Sequence, residues 1–130
     1  MPNGPEPKDI DRFIVEEIES VPHLEALLLM WRDQGKRWST EEMARFLYVS
    51  PDSAQSILQD LNRRGLIAAL SDPTNLYYFD GSSEPRNALL RTLDDTYRRE
   101  LIRISRMIHS KAASSVREFA RAFRFTKEKD

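Results

Sequence analysis

The chain contains no cysteine, which excludes disulfides, thiolate nucleophiles and zinc fingers built on thiolate ligands. Histidine occurs only as His23 and His109. Neither has a spaced set of carboxylates that would put metal ligands on one face, so no metal and no cofactor are expected. His23 reads as a surface residue in the first turn of a helix, and His109 as a residue near a basic helix end. Glycine is scarce too, four in 130 residues, and the four form no loop that could cradle a phosphate. Asp94 and Asp95 are neighbours, so on a helix they diverge by about 100° onto a solvated face and cannot work as a paired acid and base. Enzyme activity is therefore not expected. No run approaches the roughly 18 apolar residues needed to cross a bilayer. MPNGPEPKD lacks the basic-then-apolar order of a signal peptide, and residues 1–8 are expected to be a disordered tail. The expectation is a cytoplasmic protein with no membrane partner.

What is present is a heavily charged, mostly helical composition, with 40% hydrophobic and 32% charged residues. The length suits one core. Net charge is near zero but unevenly spread: residues 1–60 hold 6 basic against 12 acidic side chains, and residues 61–130 hold 14 against 9. A basic face is thus built late in the chain.

The most informative stretch runs from Ser39 to Phe79. Ser39 followed by Glu42 is a capping box that starts a helix, and Met43, Ala44 and Leu47 form its apolar side. Val49, Ser50 and Pro51 close that helix and open another, with Ser50 as cap and Pro51 in the first turn. In the second helix, Pro51 to Arg64, Ala54, Ile57, Leu58 and Leu61 make one stripe, and Gly65 supplies the left-handed end. The period then changes. Leu66–Leu70 and Leu76–Phe79 read as two short strands around a turn, Ser71 to Asn75. Upstream, a helix opening at Asp9 or Asp11 carries Phe13, Ile14 and Ile18, and residues 22–34 carry Leu24, Leu27, Leu28 and Trp31 before Gly35.

Glu42, Met43, Ala44, Leu47, Val49, Ser50, Leu58, Leu61 and the Arg64-Gly65-Leu66-Ile67 exit together resemble the winged helix-turn-helix of bacterial transcriptional regulators of the MarR type. SVPHLEALLL and SSVREFARAFRF resemble small bacterial winged-helix proteins of no assigned mechanism. The fold implied is mainly α with a small β-wing: a winged helix-turn-helix domain over residues 9–80 and a C-terminal helical extension over 84–125. The function implied is transcription regulation by binding double-stranded DNA. Two residues depart from the pattern. Tyr48 stands at a turn position where the motif often has glycine, and Phe46 stands where a polar residue is usual, which suggests that another element covers this helix.

With its stripe inside, the second helix turns Asp52, Ser56, Gln59 and Arg63 outward, flanked by Ser53, Gln55 and Asp60. Glutamine can pair with adenine, serine with either base type, and arginine with guanine or phosphate. The candidate DNA contacts are Ser53, Gln55, Ser56, Gln59 and Arg63 as readers, with Lys36, Arg37, Arg45 and Arg64 on phosphate. From Lys36 to Phe79, five cations face five carboxylates, and the wing turn offers Asp72 and no cation. Phosphate neutralisation supplies most non-specific affinity. A neutral reading unit therefore keeps a second reading open, a winged-helix protein-interaction module that does not bind DNA.

After the wing, Ser83 and Pro85 start a long helix in which Leu90, Leu93, Tyr97, Leu101, Ile104 and Ile108 advance by three or four residues, with a break at Arg98–Arg99. This seam either packs on its own domain or forms a homodimer interface. Leu89, Ile102 and Met107 favour the dimer. His109–Ala113 is expected to turn the chain into a last helix. Its Phe119 and Phe123 would dock on the core, and its Arg117, Arg121 and Arg124 are left to solvent, phosphate, a membrane surface or a partner.

Overall fold

The computed structural model describes residues 4–111. Residues 1–3, and the expected last helix with Phe119, Phe123 and its arginines, lie outside that range.

Among the described residues, six helices and a two-stranded sheet follow one another: α1 Pro7–Glu17, α2 Val21–Arg32, α3 Thr40–Leu47, α4 Pro51–Arg63, β1 Ala68–Ala69, β2 Tyr77–Tyr78, α5 Glu84–Arg99 and α6 at residues 101–111. Local chemistry sets the boundaries. Ser20, Ser39, Ser50 and Ser83 each accept a hydrogen bond from the backbone N–H three residues on, the donors being His23, Glu42, Ser53 and Arg86. Each bond satisfies a donor that the first turn leaves without an intrahelical partner. α1 opens earlier than its sequence suggested, because Asp9 accepts from the Glu6 N–H and Pro7 stands in the first turn.

α4 leaves through Gly65, at φ 75°. That left-handed step is one that glycine takes at little cost. It turns the chain into a sheet shorter than the sequence pattern indicated: Ala68 pairs with Tyr78 and Ala69 with Tyr77, antiparallel. Trp38 adds a bridge to Tyr77, donating its N–H to the Tyr77 carbonyl at 2.7 Å and accepting one back at 2.9 Å. The segment before α3 is thereby a third strand position of the wing.

One hydrophobic cluster joins all the helices, from Ile10, Ile14 and Ile18 through Leu24, Leu27 and Met43 to Leu58, Leu61, Leu90 and Leu93. α5 ends at Arg99, the break expected there. After Glu100 the chain resumes as α6, and Ile104 and Ile108 return to the same core. Five of the six seam residues, Leu90, Leu93, Tyr97, Ile104 and Ile108, are therefore buried within their own chain, and Leu101 alone of the six is exposed. The seam is used up by intramolecular packing because the break lets α6 follow the core instead of running on. His109 to Lys111 are helical, not a turn.

Gly81 sits where α5 meets the end of α2. A Cβ there would lie 2.0 Å from the Gln34 side-chain oxygen. Gln34 in turn donates to Asn87 (3.3 Å), and Asn87 donates to the Gly81 carbonyl (2.8 Å).

Candidate nucleic-acid interface

α3, the turn and α4 form a helical hairpin in which Met43 and Ala44 meet Ala54, Ile57, Leu58 and Leu61 in the core. Burying each large aliphatic contributes about 1.5–3 kcal/mol, enough to fix which side of α4 faces in. The opposite side is left to solvent: Asp52, Ser53, Gln55, Ser56, Gln59 and Arg63 are all exposed. The turn between the helices reaches its left-handed conformation through Tyr48, at φ 57°. The departure from glycine therefore leaves the turn geometry intact. No described element covers the aromatics beside it: Tyr48 is 95% and Phe46 55% exposed. Phe46 and Trp38 meet with their rings near perpendicular, centroids 5.4 Å apart.

Between the start of α3, the outer face of α4 and the wing turn lies a polar groove of about 430 Å³, lined by Ser39, Thr40, Glu41, Asp52, Gln55, Gln59, Thr74 and Asn75 among others. Asn75 takes the left-handed step of the wing turn, φ 57°. Asp72 accepts hydrogen bonds from the Thr74 hydroxyl and from the Thr74 N–H at 3.1 Å. The Thr74 bonds, hydroxyl foremost, hold its carboxyl below the ordinary value, and the charge of Arg37 adds to the effect. The wing tip is therefore a fixed, anionic turn.

The candidate phosphate contacts divide into two sets. Arg37 and Arg45 are exposed and carry no ion pair with a described residue. Lys36 and Arg64 are engaged inside the chain. Lys36 pairs with Glu42 at 2.7 Å and lies over the Trp38 ring, 4.8 Å from its centroid. Arg64 donates to the Glu16 carbonyl at 2.9 Å and to Glu19 at 3.0 Å, tying the end of α4 to α1. Arg63 is exposed but paired with Asp60 three residues earlier. Asp60 does not face outward with the readers. It turns inward to His23.

His23 is where the structure departs most from the sequence reading. It is buried, not on the surface. Its Nε2 lies 2.9 Å from Asp60 and 3.8 Å from Glu19, and its Nδ1 lies 2.6 Å from the Ser20 hydroxyl. Glu19, His23 and Asp60 could offer three ligand atoms within 4.8 Å of one another. The carboxylates are already compensated, however, since Glu19 also binds Arg64 and Asp60 also binds Arg63. The group is accordingly an ion-pair hub between the α1–α2 corner and α4. Asp94 is the second departure. It is buried and bridged by Arg32 of α2 and by Arg98 at 3.3 Å, while Asp95 stays on the surface with Arg99.

No protein-family model matches the chain, and no curated protein matches it in sequence. Solved structures do. The heme sensor protein PefR from Streptococcus agalactiae, in complex with heme, superposes with a TM-score of 0.51 at 17% identity, over 88% of this chain and 84% of that one. PefR in complex with heme and carbon monoxide gives 0.51 at 16%, over the same shares. MepR, a transcription regulator of the Staphylococcus aureus multidrug efflux pump MepA, gives 0.51 at 13%, over 89% of this chain and 88% of that one. The winged-helix architecture expected from the sequence is the architecture of this chain. These neighbours are described as a heme sensor protein and a transcription regulator. No described helix is long and apolar enough to cross a membrane.

Proposed function

We propose that the chain is a DNA-binding transcriptional regulator that reads duplex DNA with α4 and acts as a homodimer. The observation that carries this reading is the outer face of α4. Its inner stripe is fully committed to the core, while Ser53, Gln55, Ser56 and Gln59 stand as an uncovered row of base-reading side-chain types beside the wing groove. Arg37 and Arg45 supply backbone contacts at its edges. Few free cations surround the row, so one copy binds weakly, and two copies presenting α4 to half-sites about 34 Å apart make up the difference. The dimer surface uses apolar side chains that the core leaves out, Leu101 and Ile102 of α6 with Val15 of α1.

Selection of bound duplexes from a random pool, followed by anisotropy titration at several salt concentrations, tests the reading. A selected motif is expected, with log affinity falling linearly against log salt by about 0.9 for each phosphate contacted. No enrichment at low salt would overturn it.

The exposure of Phe46 and Tyr48 favours a second reading, a winged-helix module that binds protein instead of DNA. Fold alone does not choose between the two. Retention on heparin is expected of the regulator and not of the neutral interaction module.

A further inference from the structure

The groove between α3, α4 and the wing differs in charge from its surroundings. Arg37 and Arg45 lie outside its lining, and the charged side chains that line it are Glu41 and Asp52, both carboxylates and both exposed. Neither carboxylate makes a hydrogen bond or ion pair with a described residue, and neither do the side chains of Gln55 and Gln59 beside them. On the wing side the Thr74 hydroxyl donates to Asp72, which leaves its oxygen to accept. The groove therefore repels phosphate and is rich in hydrogen-bond acceptors.

The base edges of the major groove divide on that criterion. Cytosine presents the N4 amino group and adenine the N6 amino group, whereas guanine and thymine present only acceptors there. A carboxylate over an amino base gains a charge-assisted hydrogen bond, and over guanine or thymine it meets a second acceptor. The spacing matches as well. Asp52, Gln55 and Gln59 stand at i, i+3 and i+7, one row on the outer face of α4. At about 1.5 Å per residue the row is about 10 Å long, the length of about three base steps at about 3.4 Å each.

We infer that the groove selects a run of about three amino bases on one strand of each half-site, cytosine at Asp52 and adenine at Gln55 and Gln59, which rests on the proposed reading of α4 as the DNA-contacting helix. Asp52 accepts from cytosine N4, and each glutamine accepts from adenine N6 while donating to N7. Glu41, across the groove, holds phosphate off, so backbone contacts fall to Arg37 and Arg45 outside it. Exclusion counts as much as attraction: guanine or thymine on that strand leaves Asp52 facing an acceptor in place of a donor. Preference is therefore sharpest at the Asp52 position. An aspartate in the first turn also suits the positive end of α4, but that role has no bearing on which base is chosen.

The test is selection from a random duplex pool by the full chain and, in parallel, by Gln55→Glu and Asp52→Asn, followed by anisotropy titration of the selected duplexes and their single-base-pair variants. The parent should select half-sites with an unbroken run of adenine and cytosine on one strand. Inverting the C·G pair assigned to Asp52 should weaken binding at least tenfold. Gln55→Glu should exchange one adenine of the run for cytosine and leave the other positions as they were, because glutamate accepts from N4 and cannot donate to N7. Asp52→Asn should exchange the cytosine for adenine. Overall affinity falls with the charge added in Gln55→Glu, a change that base preference does not register. A parent motif in which amino and keto bases alternate within the run, or variants that both select the parent's motif unchanged, would overturn the inference and leave DNA binding by the chain standing. No enrichment by the parent would overturn the proposed function and this inference with it.

Discussion

His23 Nε2 lies 2.9 Å from the Asp60 carboxylate, joining the first turn of α2 to the flank of α4 across 37 residues. Asp60 is held below the ordinary carboxyl value, chiefly by this hydrogen bond, with Arg63 assisting and partial burial opposing. A lowered folded-state value means that the ionised form stabilises the fold. The contribution is complete above the unfolded value of about 3.9 and is lost as pH falls through the lower, folded value. Asp60→Asn should therefore cost about 1–3 kcal/mol at neutral pH, by leaving His23 and Arg63 without their charged acceptor. It should also flatten part of the acid limb. Urea denaturation at pH 6, 4 and 3 checks both. The limb should not vanish, because Asp72 and Asp80 are lowered as well. Identical pH slopes in parent and variant would remove Asp60 from the account.

Arg32 and Asp94 form the other buried polar tie, between α2 and α5. The carboxylate is 12% exposed and the guanidinium 40%. Removing the arginine strands a largely buried charge with only the exposed Arg98 beside it. Arg32→Ala should cost about 1–3 kcal/mol, toward the low end of what breaking a buried pair costs because Arg32 is partly hydrated. Arg32→Ala with Asp94→Leu should recover most of that, since position 94 lies on the apolar stripe of α5 and a leucine there extends the core. Chemical denaturation of the two variants decides. A double variant less stable than the single one would mean that the pair supplies more than charge compensation.

Much of this was legible in the sequence, and the misses share one cause. Caps, turns and stripes are local signals: Ser39, Ser50 and Ser83 cap the helices assigned to them, Gly65 ends α4, and the break at Arg98–Arg99 is where α5 stops. Burial of polar groups depends on what packs across. Asp94 was readable in principle, because Leu90, Leu93, Asp94 and Tyr97 lie on one stripe, yet its counter-ion is 62 residues away. His23 shows the same limit: its serine cap is local and its carboxylate partner is not. Whether the α5–α6 seam packed inward or against a mate turned on Glu100, where the chain leaves the helical path before Ile104 and Ile108 rejoin the core.

Tyr48 occupies a left-handed position, φ 57°, with almost its whole surface in water. The conformation costs a non-glycine residue roughly 1–2 kcal/mol, and no burial compensates it. Tyr48→Gly should stabilise the chain by about 1 kcal/mol net of the added freedom of the unfolded chain. Tyr48→Ala keeps the strain and should not. Thermal melts of the pair check this. A destabilised Tyr48→Gly would reveal that the ring makes contacts worth more than the strain.

Gln59 and Arg64 both stood among the candidate DNA contacts, and they differ in surroundings. Gln59 is exposed on the outer face of α4, beside the wing groove, and makes no hydrogen bond among those identified for the described residues. Arg64 binds the Glu16 carbonyl and Glu19, so its donors hold α4 to α1. If α4 reads DNA, Gln59→Ala should weaken specific binding by roughly 1–3 kcal/mol, relax preference at one base pair and leave the melting temperature unchanged. Arg64→Ala should do the reverse. It should lower stability by about 1 kcal/mol, because the pairs it breaks are only partly buried, and leave the salt slope of DNA binding where it was. Anisotropy against a selected duplex, with melts of the same preparations, separates the two. A salt slope lowered by about one in Arg64→Ala at unchanged stability would return that side chain to the phosphate contacts. Unaltered specific affinity in Gln59→Ala would remove the outer face of α4 from the reading surface.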